Sequence, residues 1–131
     1  MTILPKVDML VNSGKTVLLV DDIEATRILL SRILSTHGYY SIMANDGQAA
    51  MDILEQQTVD IILSDIMMPG ISGIDLCKYC KNNPKIYSIP VILITGAIEP
   101  TLFSKCQEVG SDGFLRKPFD PDDLVRLIDK F

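Results

Sequence analysis

This sequence predicts an α/β domain: a parallel sheet of five strands, each followed by a helix, with helices covering both faces. Two patterns carry that expectation. Short aliphatic runs without polar alternation recur along the chain, as in strands buried on both faces, and longer amphipathic segments separate one run from the next. The length agrees, because 131 residues fall within the roughly 100–200 that one domain holds. With 47% hydrophobic and 22% charged residues, the composition is globular and excludes a disordered or low-complexity chain.

Taken in order, residues 16–20 (TVLLV) form the first strand and end on Asp21-Asp22. Residues 23–37 place Ile28, Leu29, Ile33 and Leu34 on one helical face, and Gly38 stands where a left-handed C-terminal residue belongs. Residues 39–44 read as the second strand, Asn45-Asp46-Gly47 as a turn or cap, and residues 48–57 as a helix with Ala50, Met51, Ile53 and Leu54 available for burial. The third strand, residues 59–63, runs into Ser64-Asp65. A Pro/Gly loop over residues 68–73 then leads to a short helix, about residues 74–81, closed by Asn82-Asn83-Pro84. Pro90 opens the fourth strand, residues 91–95; a helix over about residues 100–109 follows, then Gly110, then residues 114–116 as the fifth strand. The last helix, residues 121–130, starts with Pro121 among Asp120, Asp122 and Asp123, acids that suit a helix N-terminus.

Twelve basic against 17 acidic residues give a net charge of −5. The chain therefore lacks the positive field that holds proteins on a phosphate backbone or an anionic membrane, and neither direct nucleic-acid binding nor membrane attachment is expected. No apolar run approaches the roughly 18 residues of a membrane helix. The three cysteines, Cys77, Cys80 and Cys106, are an odd number, which speaks against a secreted disulfide framework and for the cytoplasm. Cys77 and Cys80 fall inside a predicted helix, away from its N-terminus, so packing is expected of them and not redox chemistry. Residues 1–14 are expected to form a flexible extension ahead of a domain at 15–131, with a docking tail as the alternative.

In a sheet of this kind the chemistry sits at the carboxyl ends of the strands. The residues there are Asp21 and Asp22 after the first strand, Asp65 after the third, Thr95 after the fourth and Lys117 after the fifth. Carboxylates brought together repel, so three acids call for a cation among them, and few oxygen ligands with retained waters suit Mg²⁺ or Mn²⁺. Such a cation cancels charge that would keep a phosphate away and leaves one carboxylate to act as nucleophile in phosphoryl transfer. The hydroxyl of Thr95 and the ammonium of Lys117 are donors of the type that phosphoryl oxygens need.

Four segments carry a resemblance: Leu19-Val20-Asp21-Asp22, Ser64-Asp65-Ile66-Met67-Met68-Pro69-Gly70-Ile71-Ser72-Gly73, Thr95-Gly96-Ala97 and Lys117-Pro118-Phe119. In order and placement they resemble response-regulator receiver domains, above all the single-domain chemotaxis type, over residues 16–131. The resemblance implies a flavodoxin-like doubly wound (βα)5 sandwich of strand order 2-1-3-4-5. It implies that Asp65 accepts the phosphoryl group, that Asp22, Asp65 and the backbone carbonyl of Met67 ligate Mg²⁺ directly, and that Asp21 does so through water. Thr95 and Lys117 would hold the phosphoryl group, with Lys117–Pro118 a cis peptide. Thr95 and Phe114 would form the switch; Phe114 lacks a hydroxyl to anchor in water and is expected to favour its buried rotamer.

The implied function is a phosphorylation-activated signalling switch. A sensor histidine kinase or a histidine phosphotransfer protein supplies the phosphoryl group. The surface of the fourth helix, fifth strand and fifth helix then changes for a downstream effector protein or an attached output domain, in a monomer or a phosphorylation-dependent homodimer. No enzymatic activity is expected beyond the chain's own phosphotransfer and autodephosphorylation. Met67 and Ala97, on either side of the phosphoryl site, offer no acid or amide to orient water, so hydrolysis should be slow.

Three rival readings are weighed against this one. A Mg²⁺-dependent phosphatase of the haloacid-dehalogenase kind also forms an aspartyl phosphate, but it needs a second acid two residues after its nucleophile, where this chain has Met67. A dinucleotide-binding domain needs Gly-x-Gly-x-x-Gly after the first strand, where Asp21-Asp22-Ile23-Glu24 stand. A receiver kept only as a scaffold is at odds with the full set of Asp22, Asp65, Thr95 and Lys117.

Overall fold

The structure, a computed structural model, describes residues 14–97 and 99–131; the expected extension over residues 1–14 lies, apart from Gly14, outside the described residues. Strands and helices alternate throughout: β1 (Thr16–Val20), α1 (Glu24–Ser35), β2 (Tyr40–Ala44), α2 (Gly47–Gln56), β3 (Ile61–Asp65), α3 (Gly73–Lys81), β4 (Val91–Thr95), α4 (Leu102–Glu108), β5 (Gly113–Arg116) and α5 (Pro121–Ile128). All strands are parallel, in the order β2-β1-β3-β4-β5, as the sequence and its resemblance predict.

Alternate residues of the central strands feed two cores. Leu18, Val20, Ile62 and Leu93 pack beneath α2, α3 and α4 with Leu54, Leu76, Cys77, Cys80, Leu102 and Cys106. Val17, Leu19, Ile61, Leu63, Ile92 and Ile94 pack beneath α1 and α5 with Leu30, Leu34, Leu124 and Ile128. Burial on both faces is why Ile61–Leu63 of β3 and Val91–Ile94 of β4 are apolar without alternation. A side chain of ordinary core size stabilises by roughly 1.5–3 kcal/mol when fully buried, so the alternation fixes which way each strand faces.

Several element bounds and one face differ from expectation. In α1 the buried residues are Leu30 and Leu34, while Ile28 is 41% and Leu29 59% exposed. The apolar side chains spread over well more than half of this helix, so periodicity alone does not select the face; the sheet does, by receiving the pair spaced by four residues. The third strand runs two residues later than predicted and includes Asp65 itself. Its register is set across the sheet: Val17 faces Ile61, and the Asp60 N–H donates to the Thr16 carbonyl at 2.9 Å. Helices α4 and α5 are shorter than predicted by about one residue or two at their ends, where fraying sets the limit.

The opposite edge of the sheet is tied by Lys81. Its ammonium donates to Asp112 at 2.7 Å and to the carbonyls of Ile89 at 3.0 Å and Tyr87 at 3.2 Å. Asp112 also accepts from the Val91 N–H at 2.8 Å. This joins the end of α3 to the starts of β4 and β5.

Candidate functional site

The sheet brings the predicted acids together. In the register of β1 and β3, Val20 faces Ser64, so Asp21 follows directly beside Asp65. One carboxylate oxygen each from Asp21, Asp22 and Asp65 lies within 4.8 Å of the others. Lys117 enters from the far side of β4: its N–H donates to the Thr95 carbonyl at 2.8 Å, and its ammonium stands 3.5 Å from Asp21 and 3.7 Å from Asp65. The Lys117–Pro118 bond is cis. The cluster comes from three strand ends far apart in sequence, which is why no single motif reveals it.

Burial separates the roles of the acids. Asp21 and Asp65 are buried and Asp22 is exposed. The Asp65 carboxyl is pushed above its ordinary range, first by burial; Lys117 draws it down, Asp21 pushes it up, the Ile66 amide lowers it and Asp22 raises it. Three carboxylates against one ammonium leave net negative charge in a partly dry site. Such a site selects a small hard cation, and the donors are all oxygen, with no thiolate or imidazole among them. The residues fit Mg²⁺ or Mn²⁺.

Thr95 ends β4 fully buried, and its Oγ1 accepts the Ala97 N–H at 3.0 Å; a hydroxyl that accepts can still donate. Phe114 faces Leu93 across the ladder and is half-buried against that core. It meets Phe103 of α4 edge to face, with ring centroids 5.5 Å apart and planes at 84°. Met67 lies in the loop after β3 and is 63% exposed.

Two residues support the site in ways their sequence positions do not show. Gly73 starts α3 against the backbone at the end of β3: a Cβ there would stand 2.2 Å from the Asp65 carbonyl oxygen and 2.9 Å from the Ile66 Cα. Its N–H donates to the Ile66 carbonyl at 3.0 Å. The helix is aimed by a capping box, in which the Ser72 hydroxyl accepts from the Asp75 N–H and the Asp75 carboxylate accepts from the Ser72 N–H. The spacing Ser72-x-x-Asp75 is the readable signal for it. The second is Arg27, whose guanidinium donates to the Asp21 carbonyl at 2.6 Å; nothing local in the sequence marks that contact.

Known proteins share both the sequence and the fold. The family described as the response regulator receiver domain matches residues 17–129. Two-component response regulator ORR3 of Oryza sativa subsp. indica is 35% identical over 115 residues, covering 87% of this chain and 88% of that protein. The phosphate regulon transcriptional regulatory protein PhoB of Pseudomonas aeruginosa is 37% identical over 112 residues, 86% of this chain but 49% of that protein. Among solved structures, Vibrio cholerae chemotaxis protein CheY4 matches with a TM-score of 0.83 at 29% identity, covering 88% of this chain and 97% of that one. The receiver domain of sensor histidine kinase PA1611 from Pseudomonas aeruginosa, which has a magnesium ion coordinated in its active site cleft, matches at 0.82 with 25% identity, over 90% and 97% of the two chains. On sequence and on fold, then, the chain belongs to the response regulator receiver domain family of two-component signalling.

Proposed function

We propose that residues 15–131 form a receiver domain that accepts a phosphoryl group from a phosphohistidine onto Asp65 and is thereby switched. The observation that carries this is the convergence of Asp21, Asp22 and Asp65 within 4.8 Å, with the Lys117 ammonium 3.7 Å from Asp65. A carboxylate oxygen of Asp65 attacks phosphorus in line; the P–O bond forms, the P–N bond breaks, and its electron pair returns to the donor imidazole. Lys117 draws the Asp65 carboxyl down against the upward push of burial and offers its N–H donors to the transferred oxygens, with the Thr95 hydroxyl on the neighbouring strand as a further donor. Asp22, Asp65 and the Met67 carbonyl would hold Mg²⁺ or Mn²⁺ directly and Asp21 through water. That cation supplies charge neutralisation for the incoming phosphoryl group.

The donor is a sensor histidine kinase or a histidine phosphotransfer protein. The output is read on the α4-β5-α5 face by an effector protein or an attached domain, from a monomer or a phosphorylation-dependent homodimer. Support for that face comes from Phe114 of β5, which faces Leu93 across the ladder, in the strand that ends on Thr95, and meets Phe103 of α4 edge to face. No helix among the described residues is long and apolar enough to cross a membrane. The test is incubation with acetyl phosphate or phosphoramidate and Mg²⁺, followed by intact mass. One phosphoryl group is expected on the wild type and none on Asp65→Asn; equal labelling of both proteins, or of neither, would overturn the assignment.

A further inference from the structure

We propose that Arg27 is a positioning residue for the cation site, acting through the peptide that joins Asp21 to Asp22; this rests on reading the acid cluster as a cation site. Arg27 lies on α1, its N–H donating to the Ile23 carbonyl at 3.1 Å. Its Nη1 reaches back to the Asp21 carbonyl at 2.6 Å. Asp21 is held independently of this contact: its N–H donates to the Ala44 carbonyl at 3.2 Å, its Oδ1 accepts the Ile23 N–H at 2.8 Å, and its Oδ2 faces Lys117 at 3.5 Å. Asp22 is exposed, so the direction of its carboxylate follows from the peptide before it. That peptide is the one the guanidinium grips. The N-cap residue of α1, Ile23, makes no side-chain capping bond, so the start of α1 is tied to the end of β1 by the Ile23 N–H on Asp21 Oδ1 and by Arg27 on the Asp21 carbonyl.

Charge and position make opposite predictions here. A cation beside three carboxylates competes with a divalent ion, so by charge alone the loss of Arg27 would tighten metal binding. If Arg27 instead orients Asp22, its loss weakens binding, as removal of a group that orients a metal ligand costs roughly 10- to 100-fold in affinity. The geometry favours orientation, because the guanidinium bonds a carbonyl while the ion pairs of the cluster run to Lys117.

The test is isothermal titration calorimetry of the full chain with MgCl₂, with melting in EDTA as the readout of the metal-free fold. Arg27→Ala should bind Mg²⁺ 10- to 100-fold more weakly while melting in EDTA within a few degrees of the wild type. Arg27→Lys, which keeps the charge but loses the planar fork, should fall between the two. Wild-type or tighter binding by Arg27→Ala overturns the proposal. If Arg27→Ala shows no cooperative melt, Arg27→Gln, whose amide ends two bonds short of Nη1, is judged by the same rule. A wild type that binds no Mg²⁺ overturns the cation reading, and the inference falls with it.

Discussion

Replacing Asp65 with Asn should make the metal-free protein more stable. Asp65 is 7% exposed, and its carboxylate lies within 4.8 Å of those of Asp21 and Asp22. At 4.8 Å the repulsion from buried Asp21 is about 3.5 kcal/mol for an effective dielectric near 20, and at 3.7 Å the attraction to Lys117 is about 4.5 kcal/mol. Lys117 is partly open to water, which screens its larger figure, so the two nearly cancel. What remains is repulsion from exposed Asp22, about 1 kcal/mol in near-aqueous surroundings, and the burial of Asp65 itself, which is the largest influence on its carboxyl. Asn keeps the volume and removes the charge, for an expected gain of about 1–2 kcal/mol, or roughly 4–8 °C in melting temperature for a chain of this size.

The sign with pH follows from the same raised carboxyl. The contribution of Asp65 to stability is fully present below the ordinary carboxylate pKa and is lost as pH rises through the raised folded value. The advantage of Asp65→Asn should therefore be present at neutral pH and shrink as pH falls towards about 4. Calorimetric melting of both proteins in EDTA across this range is the assay. An equal or lower melting temperature for Asp65→Asn at neutral pH, or a gain that persists undiminished in acid, would refute the argument.

Gly73→Ala forces a methyl group into the Asp65 carbonyl at 2.2 Å, where only backbone can yield; we expect a loss of about 1–3 kcal/mol in urea unfolding together with slower labelling by acetyl phosphate. Cys77 and Cys80 are fully buried, and burial pushes their thiols up to about 12 and about 11; Cys106 is also buried and raised. Ellman's reagent should thus find no fast-reacting thiol in the native protein at neutral pH and all three cysteines after denaturation. The phosphorylated protein should lose its label slowly without a phosphatase, and Met67→Asn, which places an amide where water approaches, should speed that loss roughly tenfold, or about 1.4 kcal/mol of barrier; loss of the wild-type label within seconds would contradict this.

Much of the fold was legible because its signals are local. The runs TVLLV and VILIT say strand wherever they fall, and Gly38 and Gly110 stand at helix ends with φ of 82° and 83°. The acids and Lys117 could be proposed together because a parallel sheet places every strand's carboxyl end on one edge. The buried face of α1 was misjudged for the complementary reason: Ile28, Leu29, Leu30, Ile33 and Leu34 offer several apolar faces, and only the sheet selects Leu30 and Leu34.

By itself, then, the sequence determined the kind and order of the elements, the alternation that buries both faces of the sheet, and the residue types available for phosphoryl chemistry. Tertiary structure decided what depends on distance between remote segments. The register of Val20 with Ser64 puts Asp21 beside Asp65, the approach of α3 leaves no room for a side chain at Gly73, and the reach of Arg27 ends on the Asp21 carbonyl. Periodicity and turn chemistry act over a few neighbouring residues, whereas register and close packing are settled only when elements far apart in the chain compete for the same space.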